Sequence, residues 1–121
     1  MASILTVDDA ATMRQVVSFA LTDAGHTVVE ASGVDEALER VAGAKFDLVI
    51  ADLNMPGKNG LELVKSLRAK ADFRFAPILM LTTEHRDELK AAGKEAGVTG
   101  WIVKPFDPAL LLDVVKKVLK K

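Results

Sequence analysis

Cysteine is absent from the 121 residues of this chain, which excludes disulfide staples and thiolate metal sites. No apolar stretch approaches the roughly 18 residues of a membrane-spanning helix, so membrane insertion is not expected. The opening residues Met-Ala-Ser-Ile-Leu carry neither a basic n-region nor a long apolar h-region. No export signal is expected either, and the default compartment is the cytoplasm. Charge of one sign is also missing: 16 basic side chains face 17 acidic ones, for a formal charge of −1. Such a balance gives no net field that would draw nucleic acid or a lipid surface. Low-complexity segments and repeats of fixed period are lacking as well.

What remains is an ordinary globular composition, half hydrophobic and 27% charged. A chain of this length is expected to form one domain over residues 1–121 with a core that needs no staples. Short apolar runs alternate with segments of helical period. Ile4–Val7, Thr27–Ala31, Phe46–Ala51, Pro77–Leu81 and Gly100–Val103 read as five strands. Between them Met13, Val16, Val17, Ala20, Leu21 and Ala24 mark one helix face, closed by Gly25. Val34, Ala37, Leu38 and Val41 mark a second helix, and Leu63, Val64 and Leu67 a third, with Asn59 as its cap. Arg86–Ala96 gives a fourth, and Pro108 opens a fifth carrying Leu111, Leu112, Val115, Val118 and Leu119.

Strands that are almost continuously apolar suit a parallel sheet covered on both faces. Five βα units are too few for a closed eight-stranded barrel, so the expected fold is α/β: a doubly wound, five-stranded parallel sheet with five helices, flavodoxin-like. Ligands in such sheets bind beyond the carboxyl ends of the strands. Those ends carry Asp8 and Asp9, Asp52, Thr82 and Lys104. Each has an ordinary use taken alone. An acid after a strand caps a helix or sits in a loop, Asp52 before Leu-Asn-Met-Pro-Gly suits a turn, Thr82 can end a strand, and Lys104 before Pro105 can be a surface cation. Thr12 with Gln15 also fits a capping box, which leaves the aspartates unneeded for capping.

Together, however, they bring three carboxylates, a hydroxyl and an ammonium to one edge. Two carboxylates about 5 Å apart repel by roughly 3 kcal/mol at an effective dielectric of about 20. Three need raised pKa values or a cation. Oxygen donors without His or Cys favour a hard ion, best Mg²⁺.

The ordered segments "VDD", "DLNMPGKNG", "LMLTTE" and "GWIVKPF" closely resemble the receiver domain of bacterial two-component response regulators, over essentially the whole chain, and its single-domain, CheY-like branch in particular. The resemblance implies that Asp52 is phosphorylated by a phosphohistidine of a partner histidine kinase. It implies Mg²⁺ held directly by Asp9, Asp52 and the backbone carbonyl of Asn54, with Asp8 acting through a metal-bound water. Lys104 would pair with Asp52 at rest and with phosphoryl oxygens afterwards, and Thr82 would offer its hydroxyl to the phosphoryl group. The chemistry is coherent, because a carboxylate attacking a phosphoryl group meets anion repulsion that cations relieve. The protein would then be no enzyme in the usual sense, although it catalyses its own modification and its hydrolysis.

The resemblance further implies a switch in which Thr82 moves toward the phosphate and Trp101, the one tryptophan, turns into the vacated space. The surface of the fourth helix, fifth strand and fifth helix, including Lys90, Lys94, Trp101 and Lys104, would select a downstream protein partner, with chemotaxis as the expected pathway and a monomer as the expected state. Lys116, Lys117, Lys120 and Lys121 end the chain, where cations also suit a helix dipole. Asn54, Thr83 and Glu84 would tune phosphate lifetime, His85 reads as an exposed loop residue, and Lys104-Pro105 matches the family's cis peptide.

Three other functions compete. A phosphorelay intermediate would pass its phosphoryl group to a histidine phosphotransfer protein. A haloacid-dehalogenase-type phosphohydrolase wants an Asp where Asn54 stands. A flavodoxin-like cofactor domain wants a Ser/Thr/Gly-rich loop where "DDAATMR" stands.

Overall fold

The computed structural model describes residues 2–55, 59–84 and 86–119. Strands β1 (Ser3–Val7), β2 (Thr27–Ala31), β3 (Leu48–Ala51), β4 (Ile78–Thr82) and β5 (Gly100–Val103) alternate with helices α1 (Ala11–Asp23), α2 (Val34–Ala42), α3 (Gly60–Arg68), α4 (Asp87–Ala96) and α5 (Pro108–Leu119). A short 3-10 turn, Ala71–Phe73, precedes β4. All pairings are parallel and the strand order is β2-β1-β3-β4-β5. The order reverses at β1, so the crevice between the ends of β1 and β3 is where a doubly wound sheet binds its ligand.

Alternation along the central strands divides the core in two. Leu5, Val7, Val49, Ala51, Ile78 and Met80 pack with residues of α2 and α3 on one face. Ile4, Leu48, Ile50, Leu79, Leu81 and Ile102 pack with Val17, Leu21, Leu111 and Val115 of α1 and α5 on the other. Both faces are buried, which is why these strands read as unbroken apolar runs.

Local chemistry explains most boundaries. Asn59 caps α3 in a reciprocal capping box, its side chain accepting from the Glu62 N–H at 3.1 Å while Glu62 Oε1 accepts from the Asn59 N–H at 3.3 Å. Gly25 follows α1 with φ 98°, a left-handed value that glycine adopts without steric cost.

Three expectations shift. Helix α1 starts at Ala11 with Ala10 as its N-cap and no side-chain cap bond, so Thr12 and Gln15 form no capping box because Thr12 already lies inside the first turn. Strand β3 begins at Leu48 rather than Phe46, because Asp47 turns its carboxylate onto the Ser3 N–H at 2.9 Å as its own N–H reaches the Ser3 carbonyl. Strand β4 begins after Pro77, which has no N–H to donate, and runs through Thr82. No helix among the described residues is long and apolar enough to cross a membrane.

Candidate functional site

Parallel strands carry their C-terminal neighbours to one edge. Asp8 follows β1 and Asp52 follows β3, and backbone bonds fix both: the Asp8 N–H donates to the Ala31 carbonyl at 3.1 Å, the Asp52 N–H to the Val7 carbonyl at 3.0 Å. Both aspartates are buried, whereas Asp9 is exposed. One carboxylate oxygen from each of Asp8, Asp9 and Asp52 lies within 4.8 Å of the others. Gly60, at the start of α3, presses its backbone against the Asp52 carbonyl so closely that a β-carbon there would collide with it. Glycine therefore lets α3 support the Asp52 backbone directly.

Charge in this crevice is only partly compensated. The Lys104 ammonium lies 2.8 Å from Asp8 Oδ2 and 3.4 Å from Asp52 Oδ2, with all three side chains about nine-tenths buried. Asp8 Oδ1 accepts from the Ala10 N–H at 2.9 Å and Asp52 Oδ1 from the Asn54 N–H at 3.3 Å. Among the described residues one cation thus faces three carboxylates, and the donor atoms they offer are all oxygens. That set fits a hard divalent cation.

The remaining strand ends complete the edge. Thr82 is fully buried and its hydroxyl accepts from the Glu84 N–H at 3.3 Å. The Lys104 N–H donates to the Thr82 carbonyl at 2.8 Å, and the Lys104-Pro105 peptide is cis. Thr83 is exposed, and Arg86 pairs with the Glu84 carboxylate at 2.7 Å, a pairing that pushes the Arg86 guanidinium above its ordinary pKa. Trp101 is half-buried, its indole Nε1–H donating to the Glu84 carbonyl at 2.8 Å.

Lys90 and Lys94 are exposed on α4, as are Lys116 and Lys117 on α5. Lys104 does not join them on the outer surface, because Asp8 and Asp52 draw its side chain into the crevice. His85, Lys120 and Lys121 lie outside the described residues.

Arg14 was not evident from sequence. Its Nη1 donates to the Asp8 carbonyl at 2.6 Å and its Nε pairs with Glu30 at 3.0 Å, so it braces the acidic loop from α1. Its position six residues after Asp8, in the first turn of α1, was the available signal. A separate groove of about 730 Å³, lined by residues such as Ala2, His26, Asp47, Phe75 and Lys116, contains none of the strand-end acids.

The model of the response regulator receiver domain matches residues 4–116. Chemotaxis protein CheY-3 of Vibrio cholerae is 40% identical over 119 residues, covering 98% of this chain and 92% of its own length. Chemotaxis protein CheY of Pseudomonas aeruginosa is 35% identical, covering 98% and 96% respectively. Among solved structures, Vibrio cholerae chemotaxis protein CheY4 superposes with a TM-score of 0.95 at 48% identity, over 98% of each chain.

Proposed function

This chain belongs to the response regulator receiver domain family, and we propose that it is a Mg²⁺-dependent phosphorylation switch whose phosphoacceptor is Asp52. The observation that carries the reading is the crevice itself: a buried carboxylate at the end of β3, two further acids within 4.8 Å, and one shared ammonium. A carboxylate oxygen of Asp52 attacks the phosphorus of a phosphohistidine on a partner kinase. The P–N bond breaks, the electron pair returns to the imidazole, and Asp52 becomes an acyl phosphate.

Asp9, Asp52 and the Asn54 carbonyl would hold Mg²⁺, with Asp8 reaching it through water. When bound, the ion neutralises charge between the incoming phosphoryl group and the acids. Lys104 does the same from the β5 side, and its hold on Asp8 keeps it within reach of Asp52 without a large rearrangement. Thr82 sits at the end of β4 with its hydroxyl next to the β4–α4 loop, suitably placed to move toward phosphoryl oxygens. Asn54, Thr83 and Glu84 flank the site and would govern hydrolytic lifetime, Glu84 under the influence of its pair with Arg86.

The output would be the surface of α4, β5 and α5, with Trp101 as its moving part and Lys90 and Lys94 as exposed cations for a protein partner. Relatives named as chemotaxis proteins support that pathway over others. Acetyl phosphate with Mg²⁺ tests the chemistry. It should modify the wild-type protein once and leave Asp52→Asn unmodified. Modification that survives Asp52→Asn, or needs no divalent ion, would contradict the mechanism.

A further inference from the structure

Glycine inside a helix is disfavoured relative to alanine, because it has more backbone freedom to lose on folding. Helix α4 nevertheless carries Gly93 in its last turn, fully surrounded. The space a β-carbon would take there is filled by the indole of Trp101. An added β-carbon would stand 2.8 Å from Cζ3 and 3.4 Å from Cε3 of that ring. The contact is the rigid far end of a side chain and not backbone, so an alanine would have to move the ring. The same ring is tied at its other end by Nε1–H donating to the Glu84 carbonyl at 2.8 Å, and it packs against the α2–α3 side of the core.

We propose that Gly93 is a positioning residue for Trp101: its missing side chain is a socket that seats the indole between α4 and the β4–α4 loop. This rests on Trp101 being the moving part of the output surface and adds what sets its seated position. With the socket open, the ring lies against α4 and pins the loop that follows Thr82 through the Glu84 carbonyl. With the socket filled, the ring is displaced outward and both attachments are lost, so α4 and the loop are no longer held by one side chain.

Trp101 is the only tryptophan and the chain has no tyrosine, so its emission reports the ring alone. Gly93→Ala should shift the emission maximum to the red and raise acrylamide quenching at least twofold. It should also lower the urea midpoint, whereas Gly93→Ala in a Trp101→Ala background should raise it, as helix propensity alone requires. An unshifted emission together with a raised midpoint in both backgrounds would overturn the proposal. Labelling by acetyl phosphate separates this from the function it rests on. Gly93→Ala should still be modified at Asp52, because the socket does not touch the carboxylates. Failure of the wild-type protein to be modified would instead remove the phosphorylation reading while leaving the emission result as the measure of the socket.

Discussion

One ammonium, that of Lys104, is shared between two buried carboxylates, at 2.8 Å from Asp8 and 3.4 Å from Asp52. The shorter contact goes to Asp8 and not to the proposed phosphoacceptor. Asp52 is therefore the less firmly paired of the two, and its oxygens are the freer to attack. Removing the cation leaves two acids facing each other without compensation. Lys104→Met should destabilise the metal-free protein by about 3 kcal/mol, the scale for breaking a buried ion pair from one side. Added Mg²⁺ should restore part of that loss by binding only the folded state. Urea unfolding with and without Mg²⁺ measures both, and a loss well below about 1 kcal/mol would mean that Lys104 does not hold the acids together.

Asp9 stands differently, exposed at the rim while contributing an oxygen to the acidic cluster. Neutralising it removes repulsion and one oxygen donor together. Asp9→Ala should stabilise the metal-free protein modestly, by up to about 1 kcal/mol for charges a few ångströms apart in a solvated setting. It should also weaken Mg²⁺ binding at least tenfold. Trp101 fluorescence during a Mg²⁺ titration reads the affinity, and a destabilised metal-free variant would make the aspartate pair a structural feature instead.

Gly60 offers a test with an inverted sign. In an ordinary helix position Gly→Ala stabilises by roughly 1 kcal/mol. Here the new methyl would meet the Asp52 carbonyl, Met80 Cε at 2.8 Å and Leu53 Cα at 3.0 Å. Gly60→Ala should therefore cost about 2 kcal/mol, typical of overpacking against backbone, and should slow phosphorylation by displacing Asp52. Thermal or urea unfolding gives the sign, and the rate of modification by acetyl phosphate gives the consequence.

Arg68 belongs to the other end of the fold. Its guanidinium donates to the carbonyls of Gly97, Phe73, Arg74 and Ala76, with contacts as short as 2.6 Å, and partial burial lowers its pKa. One side chain thus ties the end of α3 to the approaches of β4 and β5. Arg68→Met should lose about 2 kcal/mol, since several carbonyls are left without a charged donor. Mg²⁺ affinity should be unchanged because Arg68 contacts none of the site residues, and a parallel loss of Mg²⁺ binding would show that the two ends are coupled.

The sequence revealed the features that depend on residue type at fixed spacing. Apolar strands followed directly by Asp8, Asp52 and Lys104 could be read as one edge because a parallel sheet leaves little choice, and Asn59 could be read as the cap of α3, although its reciprocal bond with Glu62 was not. Features that depend on who faces whom stayed hidden. Nothing in the chain says that Lys104 leans toward Asp8, that Arg14 braces the Asp8 carbonyl, or that Arg68 collects four carbonyls from segments up to 29 residues away. Gly93 carries no signal in the sequence, and its role shows only where Trp101, eight residues on, occupies the place of its side chain. The Thr12 box failed for a related reason: the pattern was present, but the helix had already begun.

Trapping the modified carboxylate bears most directly on the central claim. Protein treated with acetyl phosphate and Mg²⁺, then reduced with borohydride, converts an aspartyl phosphate to homoserine at the residue that carried it. Peptide mass spectrometry should find that conversion at position 52 alone, and only when Mg²⁺ was present. Conversion at Asp8 or Asp9, or none at any aspartate, would contradict Asp52 as the phosphoacceptor.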